Sequence, residues 1–277
     1  MHISYIHSPM RYAWDLYHEY RDEAGLLAKI FMSLVMPGIR QWDVINTNRI
    51  DYLMANSNFI RRRIKKYYRR EAEVIHPPVN TDFFVPGNDE NGTEDFYFVV
   101  SRFVPYKKID LAIKAFNDLG KKLVVAGDGS QEDYLKEIAN SNIKFVGRVS
   151  DEKLKEYYQK CKALIFCAKE DFGIIPVEVQ ACGSPVIAYG EGGSLETVEN
   201  LKTGVLFRNQ TVNDLKNVVL KFENMDFDEK YIRKNAESFS KDRFANEIED
   251  YIYSKYREFK QDNYKGISQN NIDIVYK

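Results

Sequence analysis

Two carboxylates, Glu170 and Glu178, bracket the stretch Asp171-Phe172-Gly173-Ile174-Ile175-Pro176-Val177. Ala163-Leu164-Ile165-Phe166 ahead of them reads as a short buried strand. The residues after Ile175 read as a helix with Pro176 at its first position, where a missing N–H costs nothing. Glu170 is thereby placed in a strand-to-helix loop and Glu178 in the first helical turn. Between them, the amides of Gly173, Ile174 and Ile175 lie at the positive end of a helix dipole, a ready site for an anion such as a phosphate. A carboxylate at a helix start is also an ordinary dipole partner, so Glu178 alone decides nothing. Upstream, Ser101-Arg102-Phe103-Val104-Pro105-Tyr106-Lys107 follows another apolar run. An arginine fork and a lysine on a flexible stem suit a diphosphate, although each alone is more often a solvated surface charge. Spacing favours Lys107 over Lys108 as the partner of Arg102.

The elements that must position these groups alternate. Strand candidates at Phe96–Ser101, Lys122–Ala126, Ile143–Val146, Ala163–Phe166, Pro185–Ala188 and Val205–Phe207 are separated by amphipathic stretches beginning near Ile109, Gln131, Asp151, Pro176 and Ser194. Short runs rich in Val, Ile, Leu and Phe, spaced by helices, predict a parallel sheet covered on both faces, with ligand chemistry at the carboxyl ends of its strands. Further helices are expected near Val212–Glu223, Asp228–Glu237 and Arg243–Phe259. The amino-terminal part differs, with strand candidates only at Ile3–Ile6, Tyr52–Ala55 and Glu73–Ile75. Three strands are few for a lobe of this class, so it reads as incomplete. Pro86–Asp95 is a plausible linker. The expected division is residues 1–85 as a partial amino-terminal lobe and 86–240 as a complete doubly wound domain. Residues 241–260 would form a helix returning to the first lobe, followed by a loose tail over 261–277.

The string Arg102 to Lys107, the Gly127-Asp128-Gly129 turn, Phe145-Val146-Gly147 and the Glu170-to-Glu178 segment, followed by Gly183-Ser184-Pro185-Val186, resemble glycosyltransferase family 4. Ala188-Tyr189-Gly190-Glu191-Gly192-Gly193-Ser194-Leu195-Glu196-Thr197 continues the likeness. So do Asn56-Ser57, Pro77-Pro78-Val79-Asn80-Thr81-Asp82 and the run from Tyr5 through His7 to Asp15. That last run is similar to mannosyltransferases of bacterial polysaccharide assembly. The resemblance implies an α/β fold of GT-B type, here one complete Rossmann-like carboxyl-terminal domain plus an incomplete amino-terminal Rossmann-like lobe. It implies a retaining transfer of a sugar from a nucleotide-sugar, GDP-mannose in that branch, to a polysaccharide or lipid-linked acceptor. No cofactor and no metal are implied.

Carried over by residue, the resemblance gives Arg102 and Lys107 the donor diphosphate, helped by the amides of Gly173, Ile174 and Ile175. Glu178 takes the ribose hydroxyls and Glu170 the donor sugar. Gly147, Arg148 and Val149 flank the base, and the Gly192-Gly193 turn lets the chain pass close to the ligand. His7 matches a histidine that faces the reacting sugar. A front-face transfer, in which the departing phosphate oxygen takes the acceptor proton, suits these residue types. A covalent route through a carboxylate is the alternative. Family members carry a long segment ahead of the run that begins here at His2, including a glycine-rich loop. The expectation is a truncated or split reading frame; a second polypeptide that supplies the missing half, or a repurposed lobe, would also account for it. A nucleotide-sugar-binding remnant with little turnover is therefore the alternative function. A phosphorolytic enzyme would need a pyridoxal-phosphate lysine motif that is not seen.

Other features read more plainly. The net charge of −1 and 29% charged residues give no global pull toward nucleic acid. Gly127-Asp128-Gly129 lacks the third glycine of the dinucleotide fingerprint, which disfavours a nicotinamide enzyme. Asp226-Phe227-Asp228 looks like a metal-binding pair but sits where a helix cap is expected. Arg11, Tyr12, Trp14 and Asp15 either line the acceptor side or pack a helix. Arg61, Arg62, Arg63, Lys65, Lys66, Arg69 and Arg70 crowd one helix, read as a solvated face or, more sharply, as a contact with an anionic membrane. The three cysteines read as free buried thiols, and no apolar run reaches transmembrane length. The expected location is cytoplasmic, with peripheral contact at the inner face of the membrane.

Overall fold

The computed structural model describes residues 1–15, 17, 21, 24–87 and 93–268, with side chains to residue 261. The chain divides into two compact units, Met1–His76 with Phe244–Lys277, and Pro77–Arg243.

The first unit holds a three-stranded parallel sheet, β1 (Ile3–Ile6), β2 (Tyr52–Ala55) and β3 (Glu73–Val74), in the order β1-β2-β3. Helices Leu26–Thr47 and Asn58–Tyr68 connect the strands. Helix Asn58–Tyr68 starts where the Ser57 hydroxyl accepts the Ile60 N–H at 3.1 Å, and it buries Ile60, Ile64 and Tyr68 at helical spacing. Its basic residues do not form the single face expected from sequence. Arg63 is buried, pairs with Asp15 and donates to Ser8 Oγ at 3.1 Å. Arg70 donates to the carbonyls of Thr47, Ile50 and Asp51. The remaining five are exposed. Arg63 lies on the inward side of the helix, while Arg70 follows the left-handed turn at Arg69 that ends it, and both find acceptors there. Trp14 stacks on Tyr67 with centroids 4.5 Å apart and donates to Asp43 at 2.8 Å, so Trp14 and Asp15 serve packing.

Helix Lys241–Ser268 belongs mostly to this unit, where the Tyr251 hydroxyl donates to the Leu53 carbonyl at 3.4 Å. It runs past residue 260, where the sequence reading begins a loose tail; 269–277 lie outside the described residues.

The second unit is a six-stranded, all-parallel sheet: β4 (Tyr97–Val100), β5 (Leu123–Ala126), β6 (Ile143–Gly147), β7 (Leu164–Phe166), β8 (Val186–Tyr189) and β9 (Gly204–Phe207). The order β6-β5-β4-β7-β8-β9 is the doubly wound one, reversing direction between β4 and β7. Because successive side chains alternate across a strand, each strand feeds two cores. Tyr97, Val99, Ile165 and Ile187 join the cluster with Ile113 and Phe116, while Phe98, Leu164, Phe166 and Val186 join Tyr158 and Val177 on the other face. The sheet is therefore buried on both sides, as its apolar runs predict. Helix Ile109–Leu119 buries Ile109, Ala112, Ile113 and Phe116, and Gly120 at φ +65° ends it.

Two boundaries differ from the sequence reading. The first unit ends at His76, not at residue 85, because Pro77–Phe84 is bonded into the second unit. The Arg233 guanidinium donates to the carbonyls of Phe84 (2.6 Å), Ala181 (2.8 Å) and Thr81 (2.9 Å), and Val79 N–H donates to Phe239 O. Residues 88–92 of the expected linker lie outside the described residues. Replacing Arg233 by methionine should leave three buried carbonyls without a donor and lower stability by about 2–3 kcal/mol, read as the urea midpoint. The other difference is helix Ile174–Ala181, which begins two residues before Pro176, after Gly173. Proline is tolerated there too, since the first four helical N–H groups have no intrahelical partner. Glu178 consequently sits just beyond the first turn.

Asp228 caps helix Glu229–Glu237, accepting the Lys230 and Tyr231 N–H groups, which accounts for the Asp226-Phe227-Asp228 string. Among the described residues no helix is long and apolar enough to cross a membrane.

Candidate active site

The strand order places the loops after β4 and β7 side by side at the carboxyl edge of the sheet, at the point where ligands of doubly wound folds bind. The β4 loop carries Arg102, exposed, and a 3-10 turn over Pro105–Lys107 that aims Lys107 back over the sheet. The β7 loop carries Glu170. Lys107 Nζ donates to Glu170 Oε1 in an ion pair whose side chains are 17% and 15% exposed. Sequence reading assigned these residues to one ligand but did not pair them with each other.

Glu170 is fixed from behind. Its backbone bridges to Gly192, and Gly193 N–H donates to Glu170 O at 2.8 Å. A Cβ on Gly192, where φ is +72°, would lie 2.3 Å from the Glu170 carbonyl oxygen, and one on Gly193 would lie 2.0 Å from that of Phe172. The Gly192-Gly193 turn thus admits the Glu170–Phe172 backbone, where the sequence reading had it admit the ligand. Gly193→Ala is expected to cost about 1–3 kcal/mol by overpacking and to displace Glu170. A melting curve unchanged from the parent would contradict this.

Gly173, at φ +88°, leads into helix Ile174–Ala181, whose opening N–H groups are available to an anion. Glu178, further along this helix, accepts a hydrogen bond from Tyr158 Oη at 3.1 Å. Burial pushes the Glu178 carboxyl up to about 7; the Tyr158 bond opposes this and the Asp151 charge adds to it. Tyr158, on helix Asp151–Lys160, carries no motif and was not anticipated. Its only sequence sign is an aromatic among polar helical residues. Gln180, also unanticipated, holds the helix in place: its Nε2 donates to the Pro176 and Thr197 carbonyls and its Oε1 accepts from Asn235.

Gly147, at φ +67°, ends β6, and its carbonyl accepts Gly127 N–H at 2.8 Å. Arg148 and Val149 follow at the same carboxyl edge, two strands from β4. Ten of the assigned residues therefore share one edge of the second unit: Arg102, Lys107, Gly147, Arg148, Val149, Glu170, Gly173, Ile174, Ile175 and Glu178. His7 follows β1 in the first unit, exposed, with its ring edge-on to Tyr5 and its carbonyl accepting from Asn56 Nδ2. Among the described residues no cluster of three or more His, Cys, Asp or Glu is placed to hold a metal. A cavity of about 440 Å³ opens at the amino ends of β7 and β8 and lacks these charged groups; it borders Gly87 and Thr93, which flank residues outside the described set.

What this edge can do chemically is hold a diphosphate between a lysine, an exposed arginine and a helix start, with carboxylates beside it that can accept from hydroxyl donors. Comparison with known proteins gives the family. The family model described as Glycosyl transferases group 1 matches residues 80–239. A glycosyltransferase of Methanocaldococcus jannaschii is 30% identical over 200 residues, covering 70% of this chain and 56% of that protein. An alpha-1,3/1,6-mannosyltransferase of Saccharomyces cerevisiae is 28% identical over 239 residues, covering 66% and 46%. A GDP-mannose-dependent monoacylated alpha-(1-6)-phosphatidylinositol monomannoside mannosyltransferase of Corynebacterium glutamicum is 28% identical over 215 residues, covering 67% and 56%. The chain spans about half the length of these relatives. Among solved structures, Anabaena HepE in complex with UDP and glucose superposes with a TM-score of 0.69 at 19% identity, covering 91% of this chain and 71% of that one. That likeness shows the fold, α/β with parallel sheets as in GT-B glycosyltransferases.

Proposed function

The chain belongs to the group 1 glycosyl transferases, and from that premise we propose that it is a family 4 enzyme moving mannose from GDP-mannose, with retention, to a glycan or lipid-linked acceptor. The observation that carries the catalytic part is the Lys107–Glu170 pair set beside the start of helix Ile174–Ala181. The donor part rests on the mannosyltransferases among the relatives.

In this reading the donor diphosphate takes Lys107 from Glu170, and Glu170 turns its oxygens to the sugar hydroxyls. Arg102 and the amides of Gly173, Ile174 and Ile175 hold the remaining phosphate oxygens. The bond between the anomeric carbon and the phosphate oxygen breaks, and its electron pair leaves with the phosphate. Charge growing on that oxygen meets donors already in place, which lowers the barrier without reorganisation. The acceptor oxygen attacks from the same face, and its proton passes to the departing phosphate oxygen. Glu178 accepts the ribose hydroxyls, and Gly147, Arg148 and Val149 flank the base. His7 enters only through the family resemblance.

The test is calorimetry with GDP-mannose, UDP-glucose and their diphosphates, alongside transfer from labelled donor to a panel of glycan and lipid-linked acceptors. Tightest binding of GDP-mannose with labelled product supports the proposal. Preference for UDP-glucose sinks the donor assignment, and binding without product on any acceptor leaves a nucleotide-sugar-binding protein.

A further inference from the structure

The Glu178 carboxylate stands at the candidate site without a cation. It is partly open to solvent, and among the described residues its one side-chain hydrogen bond comes from Tyr158 Oη, 3.1 Å from Oε2. A half-buried carboxylate kept for stability alone would ordinarily be paired with a lysine or arginine. Two cations lie near the end of its helix, by Cys182, and both are turned elsewhere. Lys155 sits over the Phe83 ring, 5.1 Å from its centroid, and the Arg233 guanidinium is taken up by the carbonyls of Thr81, Phe84 and Ala181. What remains for this carboxylate is hydroxyl donors, and the protein supplies one.

Tyr158 is held as that donor. It is the buried residue of helix Asp151–Lys160, with its ring against Phe84 and Phe98 at centroid distances of 5.5 Å and 5.9 Å. Its own carbonyl accepts from Ser184 Oγ at 2.6 Å, which fixes the backbone behind the ring. Burial, with the Glu178 charge beside it, pushes the phenol far above its ordinary value, so it keeps its proton and can only donate. A phenyl ring would fill the same space with no polar group to satisfy. We propose that Tyr158 is a positioning residue for donor binding: its phenol holds one oxygen of the Glu178 carboxylate and leaves the other turned to the ribose hydroxyls. The inference rests on the reading that Glu178 takes the ribose. Its consequence lies in the titration of Glu178. A hydrogen bond given to the ionised form favours that form, and here it works against the burial that brings this carboxyl to about 7. The other ionisable groups around the pair are Asp151, whose charge adds to the rise, and the Cys161 and Cys182 thiols, which burial keeps protonated. Without the phenol hydroxyl the carboxyl should ionise about one pH unit higher.

The experiment compares the parent with Tyr158→Phe, which keeps the ring, and with Ser184→Ala, which loosens the same residue through its backbone and leaves the phenol in place. Carbon-13 NMR of glutamate-labelled, donor-free protein follows the Glu178 carboxyl, and Glu178→Gln identifies its signal. Calorimetry between pH 6 and pH 9 measures whichever of GDP and UDP the parent binds more tightly, with Glu178→Gln giving the pH dependence of the nucleotide itself. The carboxyl midpoint should lie about one pH unit higher in Tyr158→Phe and stay in place in Ser184→Ala. Binding to Tyr158→Phe should be about fivefold weaker at pH 7, and the loss should shrink below about twofold at pH 9, where both carboxyls are ionised. A midpoint that does not move, or that moves as far in Ser184→Ala, overturns the inference and leaves the ribose reading standing. A binding loss of equal size at pH 7 and pH 9 marks a merely structural role and does the same. Should the midpoint move while the parent's diphosphate affinity follows pH just as that of Glu178→Gln does, both fall, because Glu178 then does not meet the ribose.

Discussion

Lys107→Ala is expected to lower the rate of sugar transfer by about 10²–10³-fold, while nucleoside diphosphate affinity falls much less. The magnitude is that of removing one preorganised donor from a developing negative charge. The asymmetry follows because the charge on the bridging oxygen peaks as the bond breaks, so an ammonium fixed beside it favours the transition state over bound donor. Lys107 is largely covered, and without donor it is paired with Glu170. That pairing makes a second variant informative. Glu170→Gln removes the competitor for Lys107, so diphosphate alone should bind as well as before or more tightly, while transfer still falls for want of the sugar contact. Steady-state kinetics with calorimetry on both variants checks this. Equal losses of diphosphate affinity and transfer rate in Lys107→Ala would place the lysine in ground-state binding, and weaker diphosphate binding in Glu170→Gln would show that the pair preorganises the site.

Donor affinity is expected to rise with pH through about 7 and to lose that dependence in Glu178→Gln. The cause is the buried Glu178 carboxyl, held up to about 7. Ribose hydroxyls donate more strongly to the ionised form, so donor binding draws a proton off this group, and affinity should rise by up to about tenfold per pH unit as pH approaches its pKa from below. Glu178→Ala, which removes the acceptor, should weaken donor binding by about 1–3 kcal/mol. The same group ties stability to pH in the opposite sense. Its carboxyl ionises in the unfolded chain near the ordinary 4.5 but in the folded one only near 7. Between those values the folded state holds the extra proton, so stability is greatest below about 4.5 and falls as pH rises through 7. The loss amounts to about 2–3 kcal/mol after allowing for partial exposure. Urea titrations at pH 5 and pH 8 in parent and Glu178→Gln measure it. A pH-independent donor affinity in the parent would remove Glu178 from the ribose.

How far these expectations were visible in the chain itself differs by residue. The strands of the second unit were, because Tyr97–Val100 or Val186–Tyr189 can bury both faces only in a covered parallel sheet. The loops carrying Arg102, Lys107 and Glu170 were visible for the same reason, being the segments where apolar runs stop. The helix bearing Glu178 was visible too, with its start misplaced by two residues because proline tolerates several positions in a first turn. The basic helix was misread in part. Charge along a sequence does not tell which side of a helix faces inward, and the inward position made Arg63 a buried partner of Asp15.

The amino-acid sequence by itself determined the alternation of strand and helix, the doubly wound class and the local strings that carry charge, all of which depend on periods of a few residues. Only the tertiary structure decided that Lys107 meets Glu170, that Tyr158 reaches Glu178, and that Gly192 and Gly193 make room for the Glu170 loop. The physical reason is that these contacts join residues brought together by the order β6-β5-β4-β7-β8-β9 and by helix packing. Strand order is set by how whole elements cover one another, and no short stretch of sequence records it.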